Sequence, residues 1–219
     1  MDIFARSDLL EVTLLSLVVS GLATAISLAI GLPLGTWLAL ARFRSRGLTL
    51  SLVNTGMALP PVVVGLFVAM LLWRSGPLGG LSLMYTPGAM VIAEVIIAAP
   101  VMLGLTVAAL GQLDPRLRLQ LLGLGASRWQ ATWWLWREAR LPLLAALMAA
   151  FGAVISEVGA AMMVGGNIRH ETRVLTTSIV LETGKGEFEA AIALGVVLLA
   201  LAFLVNAVLT RAQHRGPRP

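Results

Sequence analysis

An all-α membrane protein with five transmembrane helices is the fold class this sequence predicts, and three observations predict it. The 219-residue chain is 58 % hydrophobic and only 12 % charged, with a mean hydropathy of +0.90. A soluble domain carries roughly 25 % charged residues. The apolar residues come in runs of about the 20 residues that cross a bilayer. The basic residues gather in alternate connections between those runs. This composition excludes an ordinary soluble enzyme, a disordered tail and a disulfide-stapled domain. The absence of cysteine excludes thiol catalysis and Cys-type zinc or iron–sulfur sites.

The first span is expected over about residues 10–41. No charge interrupts Val12 to Ala41, and the run reads as one long helix or as a span with an extra turn or two. Gly31-Leu32-Pro33-Leu34-Gly35 is expected to bend its second half. The first eleven residues include Asp2, Arg6, Asp8 and Glu11, a net negative segment unlike a signal-peptide start, so this run is expected to stay in the membrane. Span two covers about 48–73. It contains Leu59-Pro60-Pro61, where Pro60 and Pro61, followed by Gly65, must break or kink the helix. Span three covers about 87–113, with Glu94 as its charge. Span four covers about 141–166, with Glu157 as its charge. Span five, about 190–210, is charge-free. Val174 to Val180 is too short to cross and is expected to be interfacial or re-entrant. Together these make one transmembrane domain over residues 1–219.

Charge sets the orientation. One side collects 11 basic residues, from Arg42, Arg44 and Arg46 through Arg116–Arg140 to Arg211, Arg215 and Arg218, against Asp114 and Glu138. The other side has 5 basic residues and 7 acids. The basic side is expected in the cytoplasm, leaving the N-terminus outside and the C-terminus inside. The flanking arginines read as topology anchors and lipid contacts. No basic face interleaved with aromatics is present, so nucleic-acid binding is not expected.

The connection 114–140 stands out. Asp114-Pro115 suits a helix start, Asp as cap and Pro in the first turn. Gly123 and Gly125 break that helix, and Ala126-Ser127 restart a second one. The second carries Arg128, Trp129, Trp133, Trp134 and Trp136. The tryptophans could equally form a headgroup-level belt or a grip for a partner.

Leu122-Gly123-Leu124-Gly125-Ala126-Ser127-Arg128-Trp129, followed by Leu141-Pro142, resembles the cytoplasmic signature of bacterial ABC importer permeases. The family's E-A-A positions are Leu119-Gln120-Leu121 here, and Leu141-Pro142 lies one helical turn later than in the pattern. Leu59-Pro60-Pro61-Val62-Val63-Val64-Gly65 is similar to span two of oxyanion permeases. Ile155-Ser156-Glu157-Val158-Gly159-Ala160 is similar to the molybdate and tungstate permeases. The stretches Ala161–Ile168, Thr172–Ile179 and Glu182–Gly186 resemble the tungstate-type branch. The resemblance implies the type I importer permease fold, with a cytoplasmic coupling helix carrying Leu122, Gly123, Gly125, Ala126, Ser127, Arg128 and Trp129. It also implies a homodimer with the pore on its two-fold axis, two copies of a separate ABC ATPase, and an extracytoplasmic substrate-binding protein. The transported substrate would be an oxyanion, tungstate first, and the setting a bacterial cell membrane.

The residues themselves fit a transport subunit. No phosphate-binding glycine loop of the G-x-x-x-x-G-K-[ST] kind occurs, so ATP hydrolysis would need another chain and no cofactor is expected. No catalytic triad is credible, and no cluster of His and acids suggests a metal. Glu157 is the sharpest residue, because an ionisable group inside a span normally faces a cavity or a partner. A carboxylate repels an oxyanion. Glu157 is therefore expected to pair with a backbone donor or an arginine and to shape the gate with Gly159. Glu94 has the same standing on plainer flanks. Ser156, Asn167, Thr176, Thr177 and Ser178 offer neutral donors that can pass an anion along without trapping it. Ordinary packing, with hydroxyls bonded back to the helix, is the alternative for the threonines. The methionines read as packing. Two other functions stay open: a molybdate or sulfate permease of the same fold, and an ion-gradient-driven secondary transporter. The latter needs an internal repeat with broken helices in both halves, and no repeat is evident.

Overall fold

The computed structural model describes residues 6–214, and among them the regular structure is entirely helical. Asp2, Arg215 and Arg218, which enter the charge pattern above, lie outside the described residues. α1 spans Arg6–Leu40, α2 Arg46–Met57, α3 Pro61–Leu72 and α4 Pro87–Gly111. α5 (Pro115–Gly123) and α6 (Arg128–Glu138) are short. α7 (Arg140–Ile155), α8 (Gly159–Gly165), α9 (Leu175–Lys185) and α10 (Phe188–His214) follow. Three helices, α1, α4 and α10, are long and apolar enough to cross a membrane. The count rises to five if the bent pairs α2–α3 and α6–α7 each form one span.

α1 runs on as one helix through Pro33. Its glycines serve approach: a Cβ on Gly31 would sit 2.8 Å from Met102 Cβ, and one on Gly35 2.7 Å from Thr106 Cβ. Small residues let helix backbones close in where lipid supplies no hydrophobic drive. Ser16, Ser20 and Ser27 are buried on α1, while Leu14, Val18 and Leu22 are exposed. Those exposed residues form an apolar stripe suited to lipid.

The proline pair stops α2. Pro60 supplies no N–H, its backbone is extended, and Pro61 opens α3 from the first turn. The axis turns by 95° there. α3 packs its Gly65 against α8, where an added Cβ would lie 2.7 Å from Ala160 Cα.

The stretch 141–166, expected as one span, is two helices. α7 ends at Ile155, Ser156–Val158 are non-helical, and α8 restarts at Gly159. The physical cause is local. Glu157 takes a backbone N–H of the next helix, which competes with the regular ladder and starts α8 afresh. Ser156 donates its hydroxyl back to Gly152 O at 2.7 Å, a bond that α1 also makes without breaking. α9 lies between this break and α10. The core joins Val19 of α1, Val64 and Val68 of α3, Met90 and Ala93 of α4, and Ala160 and Val164 of α8. α10 leaves Ile192, Val196, Leu199 and Phe203 exposed along one stripe.

Candidate functional site

Two places hold the residues that the sequence singles out. The first is the α5–α6 connection. Asp114 caps α5, its Oδ1 accepting the Arg116 N–H at 2.8 Å. Gly125 then takes φ +90°, a left-handed turn that a side chain resists, and an added Cβ would point into open space. Ser127 starts α6 with a reciprocal cap. Its Oγ accepts the Gln130 N–H at 3.2 Å, and Gln130 Oε1 accepts the Ser127 N–H at 2.8 Å. Such a cap contributes about 1 kcal/mol and fixes the entry angle of the helix. Leu124, 86 % exposed, stands at the tip, with Leu119 and Trp129 also exposed.

The base of this hairpin is anchored. Leu135 of α6 and Ala139, which follows it, are buried with Leu110 of α4, and Ala39, Leu40 and Leu143 pack around them. Trp136 donates its indole N–H to Thr36 Oγ1 of α1 at 2.8 Å. Trp129 and Trp133 meet Trp136 edge-on, and Arg137 lies over Trp134 at 5.0 Å. The indoles therefore divide: Trp136 faces inward as a tether, and Trp129, Trp133 and Trp134 are exposed.

The second place is the α7–α8 break. Glu157 Oε1 accepts the Ala160 N–H at 3.0 Å, the backbone-donor pairing that its position favours. Its own carbonyl accepts the Thr176 hydroxyl at 2.8 Å, tying the break to α9. Gly159 must lack a side chain, because a Cβ would lie 2.4 Å from Val62 Cγ2 on α3. Ser156 is exposed.

The other neutral donors behave differently. Thr177 and Ser178 are buried, and their hydroxyls donate to Val174 O at 3.1 and 2.8 Å. Thr177 Oγ1 also accepts the Val174 N–H, so it serves the start of α9. Asn167, at φ +54°, gives its amide to Thr177 O at 3.4 Å and accepts from Arg173 Nε at 3.3 Å. These three knit a loop together, whereas Ser156 and Thr176 sit at the break itself.

A small polar cavity adjoins the break. Ser16 and Ser20 of α1, Glu94 of α4, Glu157 and Thr176 line it. The sequence points to Glu94 and Glu157 separately; it does not show that they share a cavity, nor that α1 adds two hydroxyls. The Ser16–Ser20 spacing, one helical turn, is the signal that could have flagged α1. Two carboxylates make this spot hostile to an anion. It has room for about one water, with a volume near 10 Å³.

The expectation of no His–acid cluster needs correction. Asp8, Glu11 and His170 bring one ligand atom each within 4.8 Å of one another. The sequence separation of 159 from Glu11 to His170 hides this. Arg169 pairs with Asp8, and His170 Nδ1 lies 2.7 Å from Glu11 Oε2.

Comparison with known proteins agrees with this architecture. A family model described as "binding-protein-dependent transport system inner membrane component" matches residues 31–215. A probable anion ABC transporter permease protein of Haloferax volcanii is 41 % identical, covering 98 % of this chain and 97 % of its own length. The tungstate uptake system permease protein TupB of Peptoclostridium acidaminophilum is 42 % identical over 91 % of this chain and 88 % of its own. The molybdenum transport system permease protein ModB of Escherichia coli K12 is 29 % identical, covering 89 % of each chain.

Proposed function

The chain belongs to the family of binding-protein-dependent transport system inner membrane components, and on that premise we propose that it is the permease through which an ATP-driven importer brings tungstate into the cytoplasm. It is a multi-pass membrane transport subunit rather than an enzyme. Family membership implies two kinds of partner, an ATPase and a substrate-binding protein. Tungstate follows from the similarity to the TupB proteins, at 36–42 % identity. Molybdate is the second reading, supported by the more distant ModB relatives.

The observation that carries the mechanism is the α5–Gly125–α6 hairpin. Its tip is apolar and exposed, its base is locked into α1, α4 and α7, and its turn is fixed by a left-handed glycine. In this proposal the hairpin projects into the cytoplasm, where Leu122, Gly123, Gly125, Ala126, Ser127, Arg128 and Trp129 seat in the ATPase. Closure of two ATPase copies then moves α6, and through Trp136 it moves α1. In this reading the N-terminus lies outside, which the charge pattern supports.

The path lies between two copies of the chain. The cavity at Glu157 is far smaller than a tetrahedral oxyanion and is lined by carboxylates, which supports a route along an interface rather than through one subunit. Ser156 and the α7–α8 break would line that route, with the bends at Pro60-Pro61 and Glu157 as its movable joints.

The test is uptake in cells lacking this chain. Restoring the chain is expected to restore tungstate accumulation ahead of molybdate and sulfate, and only when the partner ATPase is present. Accumulation that persists without the ATPase and collapses with an uncoupler contradicts the proposal.

A further inference from the structure

We propose that Asn54 on α2 contacts the transported oxyanion, its side-chain amide donating to the anion midway along the path. This rests on the oxyanion route between two copies of the chain proposed above, and it gives that route a second wall besides Ser156.

Depth is the first observation. Pro100 lies near the middle of the 25-residue α4, and Gly104 is about one turn further in. A Cβ on Gly56 would lie 3.0 Å from Pro100 Cβ, and one on Gly104 would lie 2.5 Å from Met57 Sδ and 3.4 Å from Val53 Cγ1. The turn 53–57 of α2 is therefore packed against the central part of a helix long enough to cross the membrane. Asn54 belongs to that turn.

Exposure is the second. Asn54 and Ser51, one turn apart, are both exposed on the single chain. Neither side chain has a hydrogen-bond partner among the described residues, whereas Thr55 returns its hydroxyl to Ser51 O at 2.9 Å. Hydrocarbon offers an amide nothing to bond, so leaving its two N–H groups and its oxygen unmet at this depth is costly. The helix has a different sector suited to lipid, where Leu48, Leu52 and Leu59 are exposed. Asn54 thus needs a polar space in the assembled transporter.

Charge selects what occupies that space. α2 carries no acidic residue, and Arg42, Arg44 and Arg46 gather at its start. The cavity at Glu94 and Glu157 repels an anion; this face of α2 does not. A neutral amide with two donors holds a tetrahedral anion without trapping it, which conduction requires. α2 ends at the Pro60-Pro61 bend, and the next turn meets the other joint, because a Cβ on Gly159 would lie 2.4 Å from Val62 Cγ2. Movement at these joints therefore moves the donor.

The test uses the full chain with its partners in inverted membrane vesicles. The chain contains no cysteine, so Asn54→Cys and Leu52→Cys each carry a single thiol. An anionic, membrane-impermeant thiosulfonate is expected to modify Asn54→Cys and to leave Leu52→Cys unreacted, and saturating tungstate is expected to slow the modification several-fold. In cells, Asn54→Leu is expected to raise the KM for tungstate uptake about tenfold, the loss of a hydrogen bond to a charged group, with an unchanged thermal midpoint. Asn54→Gln keeps the amide and is expected to recover most of that loss. If Asn54→Leu does not insert, Asn54→Cys also lacks the amide, and its KM serves. If the unmodified chain carries molybdate or sulfate instead, that anion takes the place of tungstate in each comparison. Normal uptake by the unmodified chain overturns the proposal alone when Asn54→Cys is unlabelled, as it would be if two α2 helices sealed against each other. Equal labelling of both cysteines, modification that the anion does not slow, or an unchanged KM in Asn54→Leu overturns it equally. An unmodified chain that restores no oxyanion uptake defeats the transport reading itself, and the proposal with it.

Discussion

Trp136 on α6 donates its indole N–H to Thr36 on α1 at 2.8 Å, joining two elements a hundred residues apart. Thr36 is buried and passes its own proton to Leu32 O within α1. The bond therefore runs from the hairpin into the long first helix. In the proposed mechanism it is the latch that turns hairpin movement into helix movement.

Removing the latch should uncouple rather than unfold. Trp136→Phe keeps an aromatic ring against Trp129 and Trp133 but has no N–H to give. A hydrogen bond of this kind contributes about 1 kcal/mol, too little to unfold a domain. The variant is expected to insert normally while moving several-fold less tungstate per ATP hydrolysed. A transport-to-hydrolysis ratio equal to that of the unmodified chain would remove the latch from the mechanism.

Gly125→Val should strike the turn itself. The residue holds φ +90°, which costs a branched side chain about 1–3 kcal/mol. Nothing lies within 4 Å of the added Cβ, so the damage is to the hairpin's shape rather than to internal packing. Normal insertion is expected, together with loss of stimulated hydrolysis by the partner ATPase. Unimpaired stimulation would take Gly125 out of the coupling set.

Two glycines should behave oppositely. Gly65→Ala drives a Cβ to 2.7 Å from Ala160 Cα, and overpacking of this kind costs about 1–3 kcal/mol. Gly152→Ala on α7 meets nothing within 4 Å and should be neutral or stabilising by up to about 1 kcal/mol. Thermal midpoints of the two purified variants, compared with the unmodified chain, check the contrast.

The hydroxyls should also divide. Thr177→Val removes the acceptor for the Val174 N–H and should lower stability by about 1 kcal/mol, leaving the KM for uptake unchanged. Ser156→Ala removes an exposed hydroxyl at the break and should alter uptake kinetics with little change in thermal midpoint. Kinetics and melting measured on the same preparations separate the two.

Much of this arrangement is legible in the residues. Asp114-Pro115 and Ser127 mark helix starts because capping is a local matter of one side chain and the next few N–H groups. Pro60-Pro61 marks a break because a missing N–H has the same consequence in any context. The break at Glu157 is harder to read, since hydropathy runs on unchanged through it and the competing Glu157 hydrogen bond is a single side-chain contact. Gly31 and Gly35 suggest a bend, yet they serve close packing on α4, a fact that lives in the partner helix. Which threonines face the break depends on the rotation of α9, and no sequence period sets that for a single short helix. The pairings of Glu94 with Glu157 and of Glu11 with His170 arise from tertiary contact alone.

The central claim is that the α5–α6 hairpin lies in the cytoplasm, where an ATPase can grip it. The chain contains no cysteine, so Leu124→Cys places one thiol at the exposed tip. Arg169→Cys places one on the face expected outside. Labelling with a membrane-impermeant maleimide is predicted to reach Arg169→Cys in intact cells with a permeable outer barrier, and Leu124→Cys only in inverted vesicles. Labelling of Leu124→Cys from the outside would contradict the account.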